Sequence, residues 1–225
     1  MDRILNNTII PVNNEIFIKD PLSSGLGKKI IDESLVLILA LGMEAFNFKK
    51  LSEQVGCTEA AVYRYFENKH KLLLYLTNWY WGWLEYNLVY GTANINNPTD
   101  KIKMAINLLV EGPVFNKNLY MDIGQLRKVI TEESNKAFMT KDVDIENKGG
   151  LFNQFYNFSD RLVQIILEFN PNYTYPKAFA STLIWATIVN AYYFKHMPKM
   201  VEDKFSGKQK EEFYFNMVVN SLKNE

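Results

Sequence analysis

Apolar residues in the first third of this chain recur at helical spacing. Between Lys28 and Leu41, Ile31, Leu35, Ile38 and Leu39 stand at i, i+4, i+7 and i+8, and Gly42 follows as a stop. Phe48, Leu51 and Val55 form a second stripe, backed by Lys49, Lys50, Glu53 and Gln54 on the opposite face. Asn47 is placed to cap that helix and Gly56 to end it. Thr58 is placed to cap a third, in which Val62 and Phe66 are inward-facing i, i+4 neighbours. Glu59, Ala60, Ala61, Tyr63, Arg64 and Tyr65 are then left on or near its outer face. Asn68 is a cap for a long helix that begins at Lys69, carries Leu72, Leu73 and Leu76, and runs to about Tyr90.

Further helices are expected near Thr99 to Glu111, Leu119 to Thr131, Leu151 to Phe169, Pro176 to His196 and Lys208 to Leu222, with the polar run Lys141 to Gly150 as a break. That run is not a calcium loop, because Asn147 stands at the turn position and Asn153 at position twelve. No β-sheet of consequence is expected. Residues 1–27 read as an arm whose segment Glu15 to Lys19 is a short extended piece laid over the domain. Its Arg3 and Lys19 give a minor-groove role little support. The Gly25 to Lys29 run is too short for a phosphate-binding loop. The fold class is all-α: an N-terminal three-helix helix-turn-helix domain, then a larger helical ligand-binding and dimerisation domain. The expected divisions are 1–27, 28–76 and 77–225.

Composition narrows the chemistry. The 225 residues hold 25 basic and 25 acidic side chains, so no strong basic field is available for unspecific binding to nucleic acid. Within 28–76 seven basic residues stand against six acidic ones, and Lys28, Lys29, Lys49, Lys50, Arg64 and Lys69 could supply the local contacts. Cys57 is the single cysteine and His70 and His196 the only histidines, which leaves no internal disulfide and no zinc set; neither metal nor cofactor is expected. No apolar run approaches the ~20 residues of a membrane span, and a reduced cytoplasmic setting fits. An enzyme is not expected either: there is no Gly-x-Ser-x-Gly, no His pair at ligand spacing and no defensible carboxylate pair.

Gly42, Glu44, Ala45, Leu51, Glu53, Gly56, Thr58, Val62, Tyr63, Arg64, Phe66, Lys69 and Leu72 together resemble the TetR/AcrR-type one-component transcriptional regulators. The resemblance covers about a fifth of the chain. It implies a ligand-responsive DNA-binding regulator, a homodimer on double-stranded DNA, released as a repressor by a small-molecule effector. Thr58, Tyr63 and Lys69 would contact phosphates, with positions 59, 60, 61, 64 and 65 facing base edges. Arg64 suits guanine, whose O6 and N7 accept a bidentate guanidinium, and a phosphate contact is the other reading. Lys49 is either a phosphate contact or a solvated face. Glu59 replaces a frequent Lys; helix-dipole stabilisation explains it, and acceptance from a cytosine amine is the sharper alternative. A helix-turn-helix used only for protein contact stays open as a third class.

The helix Pro176 to His196 is apolar around nearly its whole circumference, so it needs partners on two sides. Ile184, Ile188 and Tyr192, with Phe213, Met217, Val218 and Leu222, are the candidate dimer interface, a two-fold four-helix bundle. Trp83, Tyr86, Asn87, Phe115, Gln125, Phe152, Phe155, Tyr156 and Trp185 are candidate lining for an apolar or aromatic ligand, core packing being the alternative for each. Lys69 and Trp83 or Tyr86 share one helix, roughly 21–26 Å apart at ~1.5 Å per residue, so a tilt at the pocket would displace the reading helix.

Overall fold

A computed structural model of the chain describes residues 10–112, 121–203, 205 and 207–223. Among these residues there are helices and turns but no strand. Helix α1 is Gly25–Ala45, α2 Phe48–Val55, α3 Glu59–Tyr63 and α4 Lys69–Thr92. They are followed by α5 Pro98–Glu111, α6 Ile123–Glu133, α7 Asn135–Phe138, α8 Val143–Lys148, α9 Asn153–Phe169, α10 Pro176–His196 and α11 Gly207–Lys223.

Caps set these boundaries. Ser24 Oγ accepts from Gly27 N at 3.1 Å, which starts α1 at Gly25 rather than Lys28. Gly42, at φ 71°, breaks the helical geometry near its end. Asn47 accepts from Lys50 N at 2.9 Å, Gly56 closes α2 in the left-handed region, and Thr58 accepts from Ala61 N at 3.2 Å. All three follow the sequence expectation. The run Lys141 to Gly150 does more than break helices, since it contains the short helix α8.

The chain divides into two compact units. One contains the described residues up to Trp81 and those from Met121 to Gln154; the other contains residues 82–112 and those from Phe155 on. This differs from the division at residue 76, because α6, α7 and α8 join the N-terminal helices. In the first unit α6 packs on α1. Ile31, Leu35, Phe46, Leu51, Val62, Phe66 and Leu76 are buried together with Leu126, Val129 and Ile130. The arm is part of this unit too. It forms a 3-10 turn at Asn14–Ile16 where an extended piece was expected, turns extended at Phe17, and makes a second 3-10 turn at Pro21–Ser23. Gly27 is required by it: a Cβ there would lie 2.2 Å from the Pro21 carbonyl oxygen.

In the second unit α11 packs on α5 and buries Tyr214, Val218, Val219 and Leu222. The Tyr214 hydroxyl donates to Ala186 O at 3.0 Å and accepts from Asn190 Nδ2 at 2.7 Å, tying α11 to α10. Burial pushes the Tyr214 hydroxyl above its ordinary pKa. Three expected interface residues must therefore be withdrawn. Ile184, Val218 and Leu222 are all but inaccessible, because the apolar stripes that carry them are spent on the core of their own chain. Tyr192 and Phe213 are exposed, and Ile188 and Met217 half-buried.

Candidate nucleic-acid interface

Helix α3 is held from beneath and presented outward. Val62 and Phe66 are fully buried, and the Phe48 ring meets the Tyr63 ring edge-on at 5.0 Å. Glu59, Ala60, Tyr63 and Arg64 are exposed and Ala61 is half-buried. Thr58 and Lys49 are exposed beside them. One contiguous turn thus offers a hydroxyl, a phenol, a guanidinium and a carboxylate. The first three suit phosphate oxygens and guanine edges; the fourth suits an amine donor.

Two expected members are placed elsewhere. Tyr65 is buried at 3 % exposure, because its position past the end of α3 turns the ring under the arm, where its hydroxyl meets Ser24 Oγ at 2.7 Å. It does not face outward. Lys69 directs its ammonium at the carbonyls of Met43, Glu44 and Phe46, at 2.7, 3.2 and 3.2 Å. Those are orphan carbonyls at the end of α1, where a cation is electrostatically favoured. Lys29 does the same for Val55 O at 2.8 Å, and Lys50 for Ala45 O at 2.8 Å. Three of the six candidate cations therefore also serve helix ends, Lys29 and Lys50 while remaining exposed.

Beneath the motif lies a clasp that local sequence patterns do not reveal. Glu133 Oε1 accepts from Met43 N at 3.1 Å, across 90 positions of sequence, and Lys136 pairs with Glu133 at 2.8 Å and Glu44 at 3.3 Å. The hydrogen bond to Glu133 holds the Lys136 ammonium above its ordinary pKa. One signal existed. Glu133 sits in the last turn of its helix, where an acidic side chain is disfavoured by the dipole and needs a compensating partner.

The candidate ligand residues are distributed over both units. Trp83, Tyr86, Asn87, Phe155, Tyr156 and Trp185 belong to the second, Gln125 and Phe152 to the first, and Phe115 lies outside the described residues. Trp83 stacks on Tyr86 at 5.3 Å, and Phe155 meets Trp185 at 6.4 Å. Asn87 donates back to Trp83 O at 2.8 Å, within its own helix. Phe152 is buried against Phe138, and Gln125 is bonded to Asp122.

Residues 30–76 match the family model described as bacterial regulatory proteins, tetR family. Over this segment, about a fifth of the chain, the sequence is similar to that family. The match contains the whole of α2 and α3 and the residues that present them. A comparison with curated proteins gives no match. Solved structures share the fold over most of the chain. AibR in complex with isovaleryl coenzyme A and operator DNA is 14% identical, with a TM-score of 0.57 over 84% of this chain and 95% of that one. FadR from Bacillus subtilis in complex with stearoyl-CoA is 18% identical, with a TM-score of 0.59 over 86% and 96%. The superantigen PfiT is 14% identical, with a TM-score of 0.62 over 89% and 98%. At such identities the likeness is one of fold, and PfiT illustrates that the same fold carries other names.

Proposed function

We propose that this protein is a ligand-responsive, DNA-binding transcriptional regulator that acts as a homodimer, with repression relieved by a small apolar effector. The observation that carries this reading is the exposed face of α3, where Glu59, Ala60, Tyr63 and Arg64 stand together inside the tetR-family match. Thr58 and Tyr63 fix register on phosphates, and Arg64 reads a base edge. The AibR and FadR structures hold acyl thioesters of coenzyme A, so isovaleryl-CoA and stearoyl-CoA are suitable first effectors to assay. An acyl chain would be met by apolar and aromatic side chains such as Trp83, Tyr86, Phe155 and Trp185.

The test is binding of the purified dimer to DNA fragments flanking its own coding sequence, followed by fluorescence anisotropy across a salt series. Saturable binding to one fragment, weakened by salt, is expected, and Arg64→Ala should lose about 1–3 kcal/mol of discrimination at one base pair. Absence of any preferred fragment at low salt, with dimer present, would favour the other use of this fold, protein contact without DNA. The near-even charge balance of the motif and the fold's occurrence in a superantigen make that second reading concrete.

A further inference from the structure

The arm preceding the tetR-family match is bonded at both ends. At one end the Pro11 carbonyl accepts from Gln154 Nε2, and Asn13 Nδ2 donates to Gly149 O at 2.8 Å. The fit is close: a Cβ on Gly149 would lie 3.0 Å from Glu15 Oε2. Segment 146–154 is also pinned to α4. His70 Nε2 lies 2.8 Å from Glu146 Oε1, and Asn78 Nδ2 donates to Leu151 O at 2.7 Å. At the other end Ile18 N donates to Tyr65 O at 2.8 Å, Ser24 Oγ meets the Tyr65 hydroxyl, and Lys19 Nζ stands 5.3 Å from the centre of that ring. Between the ends, Ile16 is fully buried and Phe17 meets Tyr75 edge-on at 6.0 Å.

We propose that residues 10–24 are a strap that positions the reading helix, with Tyr65 as its anchor and Asn13 as its link to Gly149. The proposal rests on the reading of α3 as a DNA reader. With only five residues, α3 has too few internal hydrogen bonds to fix its own attitude. Its C-terminal side is held by the buried Val62 and Phe66 and, through Tyr65, by the arm. A shift in segment 149–154, which leads into α9, would therefore reach the DNA face through the arm as well as through α4. The buried Tyr65 thus positions the reader without touching DNA.

Asn13→Asp isolates the link, because its oxygen still caps the turn at Glu15 N while the donor to Gly149 is lost. Hydrogen exchange on the full-length protein should quicken in peptides covering 10–19 and 59–66 and stay unchanged in 48–55. Affinity for the preferred DNA fragment should fall about 5- to 10-fold, with affinity for unrelated DNA unchanged. Tyr65→Phe, which removes the hydroxyl contact with Ser24 and leaves the Ile18 N to Tyr65 O bond, should act in the same direction, and combining the two should add little. Faster exchange confined to 10–16 and 146–154, or fully additive losses in the double variant, would overturn the strap. If the parent protein prefers no fragment, the DNA reading fails, while exchange at 59–66 still decides whether the strap exists.

Discussion

Lys69 illustrates how one side chain divides between fold and function. Its ammonium reaches three carbonyls at the end of α1, and hydrogen bonds to a charged group contribute about 1.5–3 kcal/mol, towards the lower figure where water has access. Lys69→Met should therefore lower the urea-unfolding free energy by about 1–2 kcal/mol. A residue serving chiefly as a phosphate contact would leave stability within about 0.5 kcal/mol and reduce the salt slope of binding by about one. Asp32 gives a pH test of the same unit. Partial burial, then the carboxylates of Glu33 and Asp122, raise its pKa from 3.8 to about 6. The folded state thus holds this proton more tightly than the unfolded chain. Its contribution favours folding below about pH 4 and is lost as pH rises towards 6. Asp32→Asn should raise the melting temperature relative to the parent above pH 6, with the difference vanishing near pH 4. An unchanged difference across that range would rule out the shift.

Helices were legible where their signals are local. Caps at Asn47 and Thr58 and the positive φ of Gly56 follow from residue type and spacing, and α10 begins and ends where Pro176 and His196 mark it. What stayed hidden depends on neighbours far along the chain. Nothing in the spacing of Glu133 or Gly149 says that one meets Met43 and the other the arm. The same limit explains the dimer helices: an apolar stripe announces that it will be covered, not by what. In α11 the stripe of Val218 and Leu222 is covered by its own chain, while Phe213 stands outside it at 48 % exposure. Leu222→Ala should accordingly cost about 2–5 kcal/mol of folding stability, and Phe213→Ala under about 0.5 kcal/mol in the dilute protein, by thermal or urea denaturation. Equal costs would mean that the buried and exposed faces have been assigned wrongly.

At the scale of the whole molecule, zero formal charge means that the proposed DNA binding must rest on geometry. A protein with little basic field gains little from unspecific phosphate neutralisation, so one short reading helix makes a weak complex. Two readings of a palindrome, one helical turn or ~34–36 Å apart, multiply that weak affinity, provided a dimer holds them at that spacing. Of the exposed aromatic side chains of α10 and α11, Tyr192, Phe194 and Phe213, the first and last are the candidate interface residues open to such a contact once Ile184, Val218 and Leu222 are set aside. Placing a carboxylate at both, Tyr192→Glu with Phe213→Glu, puts like charges against their symmetry mates without entering the core. Sedimentation should then report a monomer with unchanged helical content. Affinity for the preferred fragment should fall by about 10²-fold or more, while a single half-site is bound as weakly as before. A double variant that still sediments as a dimer would move the interface to another face of the molecule. A monomer that kept full affinity would mean that a single reading helix suffices, and the even charge balance would then need a different compensation.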